Sequence, residues 1–168
     1  MVRNLFLTTC ATCHGSDARG MPGFPDLGDE AWLYGGEPEM VLTSILNGRA
    51  GMMPALGPAL GTDGITEVVA HVTIISGGQA DAELAAAGAA RFAMLCAACH
   101  GPTGGGNQML GAPDLTDGNW LYGGDPETLA TSIESGRNGQ MPAHRPILGE
   151  DRARLIAAYV LSLSNDVD

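Results

Sequence analysis

The chain says everything twice. "CATCHG" at Cys10 recurs as "CAACHG" at Cys96, "GFPDL" at Gly23 as "GAPDL" at Gly111, and "WLYGGEPE" at Trp32 as "WLYGGDPE" at Trp120. Further on, "NGRAGMMPA" at Asn47 matches "SGRNGQMPA" at Ser135, with the order kept throughout. Whatever one half builds the other must also build, so 168 residues make two small units in place of one larger core. The join falls near "SGGQAD", Ser76 to Asp81, a Gly-containing polar stretch that reads as a short linker. Domains covering 1–78 and 79–168 are therefore expected.

Two units of that size are short of core material. Aromatics make up 5% of the chain and there are 25 glycines, so each half lacks the bulky side chains that a small core needs. Something else must fill the middle. The net charge is −11 and all eight basic residues are arginine, which leaves no lysine-rich patch for nucleic acid or an anionic membrane. A charged partner is expected to be basic. No apolar run reaches the roughly 18 residues of a membrane span, and residues 1–10 lack the pattern of a signal peptide. Any membrane contact is expected through an anchor absent from this chain.

Runs of alternating β-branched residues are missing, and the coarse expectation is all-α. Ala82 to Cys99 is alanine-rich and reads as a helix with Leu84, Gly88, Phe92 and Leu95 along one face; Val2 and Phe6 repeat that face before Cys10. A middle helix starts at Pro38 or Pro126, with Asp125 as a cap, and stops at Gly48 or Gly136. The closing helices run through Val68, Val69, Val72 and Ile75, and through Leu155, Ile156, Tyr159 and Val160. Long Gly- and Pro-rich segments lie between, which a packed unit seldom keeps unless a ligand holds them.

Cys10, Cys13 and His14 are open to three chemistries. Zinc ribbons pair two Cys-x-x-Cys units across about 15–20 residues, whereas a whole repeat separates these pairs. A thioredoxin-like dithiol sits on a βαβ unit, which this chain lacks, and a disulfide framework does not use one close spacing twice. Cys-x-x-Cys-His is the c-type haem attachment pattern: two thiols bond to the haem vinyl groups and bring the next imidazole onto the iron. The same reading covers Cys96, Cys99 and His100, giving two haem c groups, and each macrocycle supplies the missing core.

A second axial ligand is then expected in each half, and methionine suits electron transfer. Register selects Met53 and Met141, each followed by Pro, while Met52 aligns with Gln140. Met21 and Met109 also correspond to each other and remain alternatives, as does His144, just after the second Met-Pro. Met40 and Met94 read as core residues, and His71, aligned with Tyr159, as a packing residue.

Each half resembles a small class I cytochrome c, with a helix ending in Cys-x-x-Cys-His, a Pro-containing loop, a middle helix, a Met loop and a closing helix. With "WLYGG(E/D)PE" and "NGRxGxMPA" in order and nearly twice over, the whole is similar to the dihaem cytochrome c subunit of cbb3-type terminal oxidases. The resemblance implies thioether attachment through Cys10, Cys13, Cys96 and Cys99, proximal ligands His14 and His100, and distal ligands Met53 and Met141. It implies that the carbonyls of Pro25 and Pro113 accept the second imidazole N–H. It also implies that Trp32, Tyr34 and Arg49, with Trp120, Tyr122 and Arg137, lie where haem propionates are bound, packing being the other role for the aromatics. No catalytic centre is expected in the chain itself. The implied partners are a donor cytochrome with a basic docking face and the oxidase core subunits. The implied location is the periplasmic side of a bacterial inner membrane, or the free periplasm if the chain is a dihaem shuttle. A haem enzyme, such as a peroxidase or sulfur-compound dehydrogenase, would need an open iron or an unusual ligand.

Overall fold

A computed structural model describes residues 1–164. Helices dominate: α1 (Val2–Thr9), α2 (Ala11–His14), α3 (Pro38–Asn47), α4 (Gly57–Ile75), α5 (Ala82–Leu95), α6 (Ala97–His100), α7 (Pro126–Ser135) and α8 (Arg145–Leu163). The all-α expectation needs one correction, because β1 (Arg49–Met53) and β2 (Arg137–Met141) form a two-stranded sheet. Neither strand contains a β-branched residue. Their extension comes from the Met loops they carry, so composition gave no sign of them.

The middle helices follow local chemistry. Pro38 and Pro126 open α3 and α7, where a missing N–H costs nothing. Asp125 accepts the Thr128 amide N–H at 2.9 Å, and Gly48 and Gly136 close the two helices at φ 72°. The long closing helices are broken at Gly61 and Gly149, with φ 62° and 66°.

The compact units do not follow the repeat boundary near residue 78. One consists of Met1–Ala50 with the chain from Gly139 onward; the other is Gly51–Asn138. In the first, the core gathers Phe6, Val41, Ile45, Leu148, Ile156 and Val160, so α1 and α3 of the first repeat are closed by α8 of the second. In the second, the core gathers Leu60, Val68, Val72, Phe92, Leu129 and Ile133, so α5 and α7 of the second repeat are closed by α4 of the first. The cause is the short connection between α4 and α5. Gly77, at φ 86°, turns the chain, and Asp81 accepts the Glu83 and Leu84 amide N–H groups at 2.9 and 3.0 Å. A tight helical hairpin results, and it commits the apolar face of α4 to α5.

Several expected faces shift accordingly. In α5 the inward stripe is Ala85, Gly88 and Phe92, continued by Cys96, while Leu84 and Leu95 are 39% and 40% exposed. In α8, Ile156 and Val160 are buried but Leu155 is exposed. Met94 is not a core residue, since 72% of it is exposed, and Met40 is only half-buried. His71 is a packing residue, with its ring 5.1 Å from that of Phe92; the matching pair in the other unit is Phe6 with Tyr159 at 5.5 Å. Gly88 lets α5 approach α4, because a Cβ there would clash with the Glu67 backbone carbonyl and lie 3.0 Å from the His71 Cβ.

Candidate functional site

In the first unit, α1 ends at Cys10 and the chain re-enters helix one residue later. The amides of Cys13 and His14 donate to the Cys10 carbonyl at 3.1 and 3.0 Å, so one turn carries both thiols and the imidazole. The second unit repeats this at Cys96, Cys99 and His100, with the same distances. His14 Nδ1 donates to the Pro25 carbonyl and His100 Nδ1 to the Pro113 carbonyl, both at 3.0 Å. These bonds fix each ring and leave Nε2 as the nitrogen free to ligate. The loops that present the two prolines are tied down alike: Gly20 donates to the His14 carbonyl at 2.9 Å and Gly106 to that of His100 at 2.8 Å.

Burial, and then the neighbouring Cys13, push the Cys10 thiol up to about 11; burial and then Cys99 push Cys96 up as well. Thiols pushed upward by burial are poorly matched to a nucleophilic redox dithiol, which needs the anion. Among the described residues there is no group of three or more His, Cys, Asp or Glu that suits a metal ion. The donor set fits a covalently held iron macrocycle: two thiols and an oriented imidazole on one turn, a thioether in the same unit, and a core otherwise poor in aromatics.

The methionine expected as the second ligand in each repeat packs against the core of the other repeat's Cys-x-x-Cys-His turn. Met141 packs against the core that contains Cys10, and Met53 against the core that contains Cys96. Backbone contacts hold this exchange. The His144 amide donates to the Ile45 carbonyl at 3.0 Å and the Leu56 amide to the Ile133 carbonyl at 2.9 Å. Gly136 is required where the first repeat's Met loop crosses the end of α7, because a Cβ there would meet Ala55 N at 2.8 Å and the Pro54 carbonyl carbon at 2.9 Å. Met52, Met21 and Met109 are 80%, 48% and 94% exposed and lie outside both cores. His144 is half-buried at the start of α8, and its Nδ1 is buried without a hydrogen-bond partner.

Trp32 and Trp120 pack against the two cores. Tyr34 and Tyr122 lie under arginine guanidinium groups, with Arg49 4.5 Å and Arg137 4.4 Å from the ring centroids. Sequence reasoning missed Ser44 and Ser132, which accept Nε–H of Arg49 and Arg137 at 2.8 and 2.9 Å. The signal was present, since both repeats place a serine five residues before that arginine.

The family described as cytochrome C oxidase, cbb3-type, subunit III matches residues 2–72 and 83–160. The chain is 42% identical over 161 residues to the cbb3-type cytochrome c oxidase subunit CcoP of Rubrivivax gelatinosus, covering 95% of this chain and 53% of that protein. It is also 42% identical over 170 residues to CcoP of Cereibacter sphaeroides, covering 95% and 59%. With subunit FixP of Azorhizobium caulinodans the identity is 41% over 167 residues, covering 94% and 57%. The chain thus spans a little over half the length of these relatives. With both repeats matched, it belongs to the cbb3-type cytochrome c oxidase subunit III family.

Proposed function

We propose that this chain is the dihaem electron-transfer part of a cbb3-type oxidase cytochrome c subunit, taking electrons from a donor cytochrome and passing them toward the oxidase core. One observation carries the reading: each unit brings a Cys-x-x-Cys-His turn, its histidine already oriented by a proline carbonyl, into one core with a methionine. Each haem, when bound, supplies one-electron iron chemistry. Cys10 and Cys13 would anchor one group, and His14 would offer Nε2 to its iron with Met141 as the second ligand. Cys96, Cys99, His100 and Met53 would do the same in the other unit. Met141 and Met53, as thioether ligands, would raise the potential and favour electron transfer over oxygen or peroxide chemistry.

The donor is a protein with a basic face, in keeping with the −11 charge of the chain. No helix among the described residues is long and apolar enough to cross a membrane. The placement proposed is the periplasmic side of a bacterial inner membrane, reached by an anchor outside this chain. Mass spectrometry of the denatured, matured chain tests the central claim. Two covalent haems are expected; one, or none with bound zinc, overturns it. The complete gene decides between subunit and free shuttle, since a cleavable signal with no retained membrane helix and no oxidase genes nearby rejects the subunit reading.

A further inference from the structure

Two arginines are held firmly in place yet have no ion pair among the described residues. Arg49 and Arg137 occupy matching positions in the repeats, and each guanidinium lies over a tyrosine face in its own unit. Each donates its Nε–H to a serine on the preceding helix, Ser44 at 2.8 Å and Ser132 at 2.9 Å. Each serine donates its own proton one turn back, to the carbonyls of Met40 and Thr128, both at 2.9 Å. That second bond fixes the polarity of the chain of contacts. A hydroxyl has one proton, and with it committed to the helix carbonyl only lone pairs face the arginine.

A ring on one side and one acceptor at Nε set the plane of the guanidinium and leave its terminal N–H groups available. Arg49 also sends Nη2 to the Met40 carbonyl at 3.4 Å. Among the described residues the ion pairs are Arg19 with Asp26, Arg91 with Glu67 and Arg154 with Glu150. Arg49 and Arg137 are in none of them, although the chain has 19 acidic residues against eight arginines. Both are half-buried, where a charge without a counter-ion is costly. The same arrangement built twice points to an anion that arrives twice, and a haem carries two propionates.

We propose that Ser44 and Ser132 are positioning residues that aim Arg49 and Arg137 at a haem carboxylate and so set how the potential of each haem responds to pH. The proposal rests on the haem reading above. An ionised carboxylate near iron favours the ferric state, and a fixed guanidinium beside it offsets that bias and keeps the carboxylate ionised. If the guanidinium loosens, the potential falls at neutral pH and the carboxylate titrates closer to neutrality, so the potential gains a slope with pH.

The experiment is redox titration of the full chain carrying its haems, at a series of pH values. Ser132→Ala is expected to lower the potential of one haem at neutral pH and to give it a pH slope. Ser132→Thr, which keeps the hydroxyl, restores both. Arg137→Lys, which lacks Nε–H, reproduces the alanine effect, and the double variant shifts no further than either single one. Ser44 and Arg49 do the same for the other haem. An unchanged potential and slope in Ser132→Ala overturn the proposal, as do equal shifts in the alanine and threonine variants, which would assign the effect to packing. Haem counted by mass in each variant keeps the two readings apart: two haems with no shift reject the positioning role alone, and a wild-type chain without haem rejects both.

Discussion

Ala18 and Gly104 occupy the same place in the two attachment loops and show what one methyl group does there. Ala18 has φ 62°, in the left-handed region, yet it is only 2% exposed. The strain of about 1–2 kcal/mol is opposed by burial of a methyl worth about 0.8 kcal/mol. Glycine would add unfolded-state entropy of about 0.4–1 kcal/mol, so Ala18→Gly is expected to change stability by less than about 1 kcal/mol. Gly104 has φ 87°, and a Cβ there would lie 2.7 Å from Ile75 Cδ1, the movable end of a side chain, so the backbone strain carries the cost. Gly104→Ala is expected to destabilise by about 1–3 kcal/mol, and denaturant unfolding of both variants checks the contrast. His71 adds a pH term. Burial lowers its pKa from 6.5, so between the folded value and 6.5 the unfolded chain binds more protons. Its contribution is present above 6.5 and is lost as pH falls through the folded pKa. Phe92 and Gly88 face it from α5, with the Arg91–Glu67 ion pair nearby. His71→Tyr, which copies Tyr159, should flatten the fall in thermal midpoint on mild acidification; an unchanged slope would assign that fall to other groups.

Among the elements, the attachment turns and the ends of α3 and α7 were legible because each is set by residues within about one loop of itself, whereas the proline carbonyls came only from the family resemblance. Cys-x-x-Cys-His fixes its own turn, Pro opens a helix and Gly ends one. The strands and the exchange were not legible. Both repeats carry the same Met-Pro sequence, so register identifies Met53 and Met141 as equivalent but cannot say which core each one enters. That choice is made by the α4–α5 hairpin, through a six-residue connection whose geometry no motif announces. Exposed Leu84 and Leu95 were misplaced for a related reason: helical periodicity picks a stripe before the partner helix is known. Gly136 tests the exchange at this scale. It combines φ 72° with backbone of the other repeat's Met loop at 2.8 Å. Gly136→Ala should cost about 1–3 kcal/mol in backbone strain alone and displace Met53. Loss of the methionine-to-iron spectral signature from one haem, the one held by Cys96 and Cys99, is expected; a loss confined to the haem at Cys10 would contradict the packing described.

At the scale of the whole molecule, each unit borrows its methionine and its closing helix from the other repeat, so the two candidate haem sites do not divide along the sequence. A chain cut near residue 78 would leave α1 and α3 without α8, and α5 and α7 without α4. Neither piece should hold a closed iron, whereas two self-contained repeats would each survive the cut. A sharper test keeps the chain intact. In a variant lacking the first attachment pair, Cys10→Ala with Cys13→Ala, the remaining haem would be held at Cys96, Cys99 and His100. Met53→His should then lower its potential, since a nitrogen ligand replaces a thioether, while Met141→His should leave it nearly unchanged. Redox titration of the single-haem protein reads the difference directly. If Met141→His produced the shift and Met53→His did not, ligation would follow the repeats instead of the packed units. The hairpin between α4 and α5 would then organise the helices without deciding the chemistry.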